Sequence, residues 1–287
     1  MADLRPLSRR DFLRGAFAVT VSATAVSTAG VAATVLVERG WLDVNPQPVH
    51  LTRLVPEFSG YRVAHFSDIH MDDWMTAARL ANIVETINAQ QPDLIAFTGD
   101  LVTRHIDRYA ADLVATLSQL AAPDGVVAVL GNHDHWTDAT LARRILHAAG
   151  IQVLDNAVHT VHRGTAVLHV AGVDDYWQQQ ARLDVVLQNL PADGAAILLA
   201  HEPDFADITA ASGRFDLQLS GHTHGGQVCL PLVGPIVLPR YGRKYPLGRY
   251  QVGQMIQYTN RGVGMVQPQV RINCRPEITL FTLNDHP

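Results

Sequence analysis

Five short blocks of this sequence carry residue types that bind metals and move protons, and each closes an apolar run. FSDIH supplies Asp68 and His70, FTGD supplies Asp100, and LGNHDH supplies Asn132 and His133. LAHEPD supplies His201, and LSGHTHGG supplies His222 and His224. In D-x-H and H-x-H the two side chains, on an extended backbone, point to the same face. A lone histidine at a strand end is commonly a packing residue with its nitrogens satisfied. Five blocks in order, each beside a Gly or small residue, point instead to a shared metal site. Carboxylate, amide and imidazole donors suit Mn, Fe or Zn better than Ca or a thiolate-held ion.

The runs that must position these blocks read as an α/β fold. Strands are predicted at Tyr61–Phe66, Leu94–Thr98, Val126–Leu130, Ala166–Ala171, Ala195–Leu199 and Leu217–Ser220. Helices are predicted at Thr76–Gln90, Arg108–Leu120, Asp138–Ala149 and Leu183–Asn189. Leu80, Ile83, Val84 and Ile87 show the three- and four-residue spacing of a buried helix face. Alternation of the two types implies βαβ units and a largely parallel sheet. Ligands of open α/β sheets collect beyond the carboxyl ends of the strands, so the five blocks should meet in one crevice. After Gly225, prolines and glycines are frequent, and strand-like runs follow at Met255–Thr259 and Ile278–Leu283. That tail reads as an antiparallel second sheet packed on the first.

With 287 residues, 47% hydrophobic and 17% charged, the chain suits one large domain. A formal net charge of −5 gives no general electrostatic basis for a stable nucleic-acid partner. Cys229 and Cys274, the two cysteines, allow one bridge in an oxidising compartment or two buried thiols. His65 and His169 lie inside predicted strands and read as core residues. Trp74 and Trp136 each follow a ligand block, where they would wall a cleft or simply pack. Asp174 and Asp175 read by default as a solvated turn. Leu230–Pro239 is apolar and is followed by Arg240, Arg243, Lys244 and Arg249. A buried hairpin with a solvated turn is the plainer reading; contact with a phosphorylated lipid at a membrane surface is the other.

Residues 1–40 read as an address rather than as fold. SRRDFLR, with Arg9, Arg10, Phe12 and Leu13, precedes a weakly apolar run from Gly15 to Val37 and resembles a twin-arginine export signal. The expected location is the periplasm or cell envelope, with the twin-arginine translocase as partner during export. An uncleaved anchor is the alternative, because the run is about long enough to span a bilayer.

The order D-x-H, GD, GNHD, H, GHTH resembles the calcineurin-like metallophosphoesterase superfamily. HTHGGQV, LPLVGPIVLP, GRKY and INCRPEI are similar to its bacterial twin-arginine-exported subgroup. The likeness covers residues 48–284. It implies a four-layer α/β/β/α sandwich of two mixed β-sheets and a centre of two divalent ions. Asp68, His70, Asp100 and His224 would hold one ion. Asp100, Asn132, His201 and His222 would hold the other, with Asp100 bridging and His133 beside the substrate as proton donor or transition-state stabiliser. Such a pair of ions, about 3.5–4 Å apart, stabilises both the attacking and the leaving oxygen of an in-line displacement, with a bridging hydroxide as nucleophile. The implied activity is hydrolysis of phosphate mono- or diesters or pyrophosphates, on small-molecule or lipid substrates, outside the cytoplasm. The rivals are a lipid-linked sugar-nucleotide pyrophosphatase at the membrane surface and a non-catalytic metal-bearing envelope protein. Protein phosphatases of the superfamily carry a second Asp three residues after the bridging one to orient the histidine. Here that position is Thr103, which counts against protein substrates and leaves the orienting partner of His133 open, with the adjacent Asp134 one candidate.

Overall fold

The computed structural model describes residues 38–286, so the expected address at residues 1–40 lies, up to position 37, outside the described residues. No helix among the described residues is long and apolar enough to cross a membrane.

Five strands come first: β1 (Asp43–His50), β2 (Tyr61–Phe66), β3 (Leu94–Phe97), β4 (Val126–Ala128) and β5 (Gln152–Val153). The next four are β6 (Ala157–Arg163), β7 (Ala166–Gly172), β8 (Ala195–Leu199) and β9 (Leu217–Ser220). A small hairpin of β10 (Cys229–Leu230) and β11 (Gly234–Pro235) precedes β12 (Gly248–Val252), β13 (Met255–Thr259) and β14 (Glu277–Asn284). The first sheet runs β1-β14-β2-β3-β4-β5 and the second β12-β13-β9-β8-β7-β6. Strands β2 to β5 are mutually parallel, as are β7, β8, β9 and β13.

The expected second sheet is therefore present but differently built. It begins at β6, and the tail does not form it alone. β12 and β13 pair antiparallel and join it through the parallel β13–β9 pairing, whereas β14 returns to the first sheet, antiparallel to β2. The reason is burial. All but two residues of β14 are buried, so it fills an interior place between β1 and β2.

Alternation along each strand builds the layers. Val63, Leu94 and Ala96 meet Ile197, Leu199, Leu217 and Phe281 in a core between the sheets. Ala64, Phe66, Ile95 and Phe97 turn outward onto α1 (Ala77–Ala89), α2 (Ile106–Leu117) and α4 (Ala139–Ala148), which follows the short α3 (Asn132–Thr137). Ala196 and Leu198 turn the other way onto α5 (Leu183–Asn189) and α6 (Ala206–Ala211). Both faces of each central strand are covered, which is why these strands read as unbroken apolar runs. The result is the α/β/β/α sandwich. α1 buries Leu80, Ile83, Val84 and Ile87, the face its periodicity marked, and the Thr76 hydroxyl caps it by accepting from Arg79 N. His65 and His169 are buried, each ring facing a threonine hydroxyl at 2.9 Å.

Candidate metal centre

Parallel β2, β3 and β4 of one sheet and parallel β8 and β9 of the other end at the same edge, and all five polar blocks leave from there. Asp68, His70, Asp100, Asn132, His201, His222 and His224 are all buried, while His133 is half-buried at the rim. Hydrogen bonds knit block to block: Asp68 N donates to Gly99 O at 2.9 Å and His70 N to Asp100 O at 3.1 Å. His133 N donates to Asp100 Oδ1 at 2.9 Å, and His222 N to Asp68 Oδ2 at 3.0 Å. Gly131 and Gly221 have steric reasons to be glycine. A Cβ at Gly131 would land on the Asp100 carboxylate and His201, and one at Gly221 on Ser67 and Asp68.

The backbone is not extended here. Asp68, His70, Asp100, His222 and His224 all take left-handed φ, between +47° and +73°. Each costs on the order of 1–3 kcal/mol and persists because the surrounding hydrogen bonds fix it. The pairwise convergence of D-x-H and H-x-H thus comes from turns and not from strand pleat.

Among the described residues, three acid–imidazole groups have ligand atoms within 4.8 Å of one another: Asp68, His70 and His224; His70, Asp100 and His133; and Asp68, Asp100 and His201. Asp100 stands in two of them, as a bridging carboxylate must. His70 Nε2 and His224 Nε2 are 3.0 Å apart. That is about the separation of two nitrogens that each lie roughly 2.0–2.1 Å from one ion at right angles. His201 Nε2 is 3.2 Å from Asp100 Oδ2 without making a hydrogen bond, and Asn132 Oδ1 is likewise buried without a partner. Buried polar atoms are normally satisfied, so these orphans fit a metal site.

Backbone carbonyls set the imidazole tautomers, because a carbonyl can only accept. His201 Nδ1–H donates to Thr98 O at 2.6 Å, which leaves Nε2 as the ligand atom; His222 Nε2–H donates to Arg240 O at 2.8 Å, which leaves Nδ1. Burial holds His222 down to about 4 and His224 well below the usual imidazole range. Both rings are therefore neutral, the form that ligates metal.

His133 is not oriented by Asp134. That carboxylate is turned away, accepting from the N–H groups of Asp100, Leu101 and Gly131, and it fixes the two loops instead. The Thr103 carbonyl accepts from His133 Nδ1 at 3.1 Å, and the Thr103 hydroxyl faces His70 Nδ1 at 3.2 Å. Thr103→Val is thus expected to leave His133 in place and to lower metal affinity by about 10–100-fold through His70. Metal titration checks this; unchanged affinity would remove Oγ1 from the support of His70.

A cavity of about 390 Å³ opens over the cluster, with Asp100, His133, Trp136, Trp177, His222 and Val237 among its walls. Among the described residues that line it there is no Lys or Arg. Trp136 packs 4.7 Å from His133 and 5.2 Å from Trp177, and so walls the cavity, the first of its two readings. Trp74 does not reach the cavity; it stacks under Arg79 at the foot of α1. Sequence reasoning missed Trp177, which lies in no ligand block. Its position comes from buried Glu202, whose carboxylate accepts from Tyr176 N and Trp177 N.

Asp174 and Asp175 are buried rather than solvated. Asp174 accepts from Arg143 Nη2 at 2.9 Å and sits 2.8 Å from His135 Nε2. Burial, then repulsion from Glu202, pushes the Asp175 carboxyl up to about 8. Cys229 and Cys274 are free thiols that donate to Gly225 O and His224 O, beneath the last ligand turn.

Residues 61–226 match the calcineurin-like phosphoesterase family. The chain is 34% identical over 284 residues to the uncharacterized metallophosphoesterase YkuE of Bacillus subtilis (strain 168), covering 98% of this chain and 99% of that one. It is 30% identical over 281 residues to the phosphodiesterase YaeI of Escherichia coli (strain K12), covering 96% and 99%. A dimetal phosphatase from Danio rerio superposes with a TM-score of 0.46 at 13% identity, over 71% of this chain and 88% of that one.

Proposed function

This chain belongs to the calcineurin-like phosphoesterase family, and from that premise we propose that it is a two-metal hydrolase of phosphate esters working outside the cytoplasm. The observation that carries the reading is the set of acid–imidazole groups sharing Asp100 at the floor of the cavity, with His133 at its rim. Asp68, His70, Asp100 and His224 would hold one divalent ion, and Asp100, Asn132, His201 and His222 the other; Mn, Fe and Zn suit these donors. Such ions, when bound, supply Lewis acidity toward the phosphoryl group and an activated water. The chain supplies the rest. Asp100 offsets the charge, Thr98 O and Arg240 O aim the imidazoles, and Thr103 O holds His133 by Nδ1–H so that Nε2 faces the substrate; as the imidazolium, His133 would give its Nε2 proton to the departing alkoxide and be left neutral on Nδ1–H.

The cavity favours a diester over a more highly charged ester. A phosphomonoester dianion or a pyrophosphate gains from guanidinium or ammonium partners, and none of the described residues lining the walls supplies one, whereas Trp136, Trp177 and Val237 suit an apolar substituent. The phosphodiesterase name of the YaeI relative supports the same reading. The test is hydrolysis of bis-p-nitrophenyl phosphate against p-nitrophenyl phosphate with Mn²⁺, with metal content measured on the same sample. Two bound equivalents without turnover of either ester or of a sugar-nucleotide pyrophosphate would leave a metal-bearing envelope protein instead.

A second reading is a lipid-linked substrate, such as a lipid-linked sugar-nucleotide pyrophosphate, at a membrane surface. It is favoured by the segment Leu230–Val237, which is exposed and not the expected buried hairpin: Leu232 is fully exposed and Val233 and Val237 about three-quarters so. The location rests on Arg9 and Arg10. Arg9→Lys with Arg10→Lys is expected to strand the protein in the cytoplasm, because the twin-arginine signal is read by a receptor. A plain apolar anchor would tolerate lysine, which keeps the positive flank. Fractionation decides, and unchanged export would overturn twin-arginine export.

A further inference from the structure

Exposed apolar side chains are not spread evenly over this molecule. Of the nine large hydrophobics exposed among the described residues, five lie within the eight-residue stretch 230–237 that contains the small hairpin: Leu230, Leu232, Val233, Ile236 and Val237. Scattered exposed leucines need no explanation, but a contiguous patch marks a contact surface. Gly234 at φ +86° turns the tip and the two-residue ladder of β10 and β11 closes it, so the aliphatic side chains are held outward on a formed loop.

The charge around the hairpin is equally uneven. In a chain of net charge −5, no Asp or Glu occurs from Leu217 to Pro276, whereas Arg240, Arg243, Lys244, Arg249, Arg261, Arg271 and Arg275 do. Lys244 is paired with Asp207. Arg240 and Arg243, just past the hairpin, are exposed and have no carboxylate partner among the described residues. Aliphatic side chains at a tip with unpaired guanidinium groups behind them are complementary to a bilayer whose surface carries anionic headgroups.

The patch is also continuous with the metal site. Ile236, Val237 and Pro239 belong both to this segment and to the cavity wall, and the Arg240 carbonyl accepts from His222. We propose that the hairpin from Cys229 to Pro239, with Arg240 and Arg243, is a membrane-docking element that seats the cavity mouth on an anionic lipid surface. A phosphoester bearing acyl chains then enters sideways along Ile236 and Val237, its headgroup reaching the metal floor while its chains stay in apolar surroundings. The docking stands apart from the activity; the entry path rests on the phosphoesterase reading above.

The test uses the full chain and reads the hairpin itself, because the N-terminal apolar run would contribute its own membrane affinity. Val233→Trp places a fluorophore at the tip, and Ile208→Trp places one at an exposed apolar position on α6. Brominated phosphatidylcholine vesicles, with and without phosphatidylglycerol, serve as the quencher. Quenching above the parent chain is expected at position 233 but not at 208, and more strongly with phosphatidylglycerol. Arg240→Gln with Arg243→Gln should weaken that partition by about 10–30-fold, at roughly one cation's worth of surface attraction each. Leu232→Ser with Val233→Ser should weaken it by about 10-fold or more while leaving turnover of soluble bis-p-nitrophenyl phosphate unchanged. Sedimentation with vesicles but no quenching at 233 would assign the membrane contact to the N-terminal run and overturn the proposal. So would a blue shift at 233 that grows with protein concentration in the absence of vesicles, since a second copy of the chain would then be the occupant. Loss of soluble turnover in the parent chain would defeat the phosphoesterase reading and leave the docking result standing.

Discussion

Asp100→Asn is expected to abolish turnover, by more than about 10³-fold in kcat, and to take metal content down with it. The size follows from position. Asp100 is the carboxylate common to two of the acid–imidazole groups, with Oδ2 3.4 Å from His70 Nε2 and 3.2 Å from His201 Nε2, while Oδ1 accepts from His133 N. Burial pushes this carboxyl up, but His201 and His133 outweigh it and hold the group well below the usual carboxylate range, so it is ionised throughout the working pH range. Asparagine keeps the volume and tolerates the left-handed φ of +65°. The variant therefore removes charge without imposing new backbone strain. Metal analysis alongside circular dichroism is the measurement. An active, folded variant with two full equivalents of metal would defeat the bridging role.

The second large effect separates metal binding from proton transfer. His133→Asn is expected to retain both metals and to lose about 10²–10⁴-fold in kcat. His133 is half-buried at the rim, its Nδ1–H committed to the Thr103 carbonyl, so Nε2 is the atom presented to substrate. The loss should shrink as the leaving group's pKa falls, because a good leaving group departs without a proton. A series of substituted phenyl diesters reads this directly. An equal loss across the series would leave His133 an electrostatic role only, and a loss of metal would make it a ligand.

What the sequence by itself determined was the chemistry and the frame. The donors were legible because a side chain's identity is local, and their placement at strand ends was legible because apolar runs and periodicity are local too. Val63 against Ala64, and Leu94 against Ile95, alternate between the two cores as strand geometry requires. From these followed a layered α/β fold with the polar blocks at one edge. Tertiary structure alone decided the rest, because it depends on groups far apart in the chain. Which nitrogen of His201 and of His222 is free is set by carbonyls 103 and 18 residues away. His133 is oriented by a main-chain oxygen, which no residue type announces, so Thr103 looked like a missing aspartate when its backbone was performing the task. The paired carboxyls Asp174 and Asp175 read as a solvated turn because their partners, Arg143, His135 and Glu202, are invisible along the chain. The segment Leu230–Val237 read as buried for the opposite reason: apolar composition says what a segment prefers to contact, and only the packed molecule shows whether anything in the same chain covers it. The sequence could name the ligands of the site; the fold decides which atom each one offers, and which surface is left bare beside them.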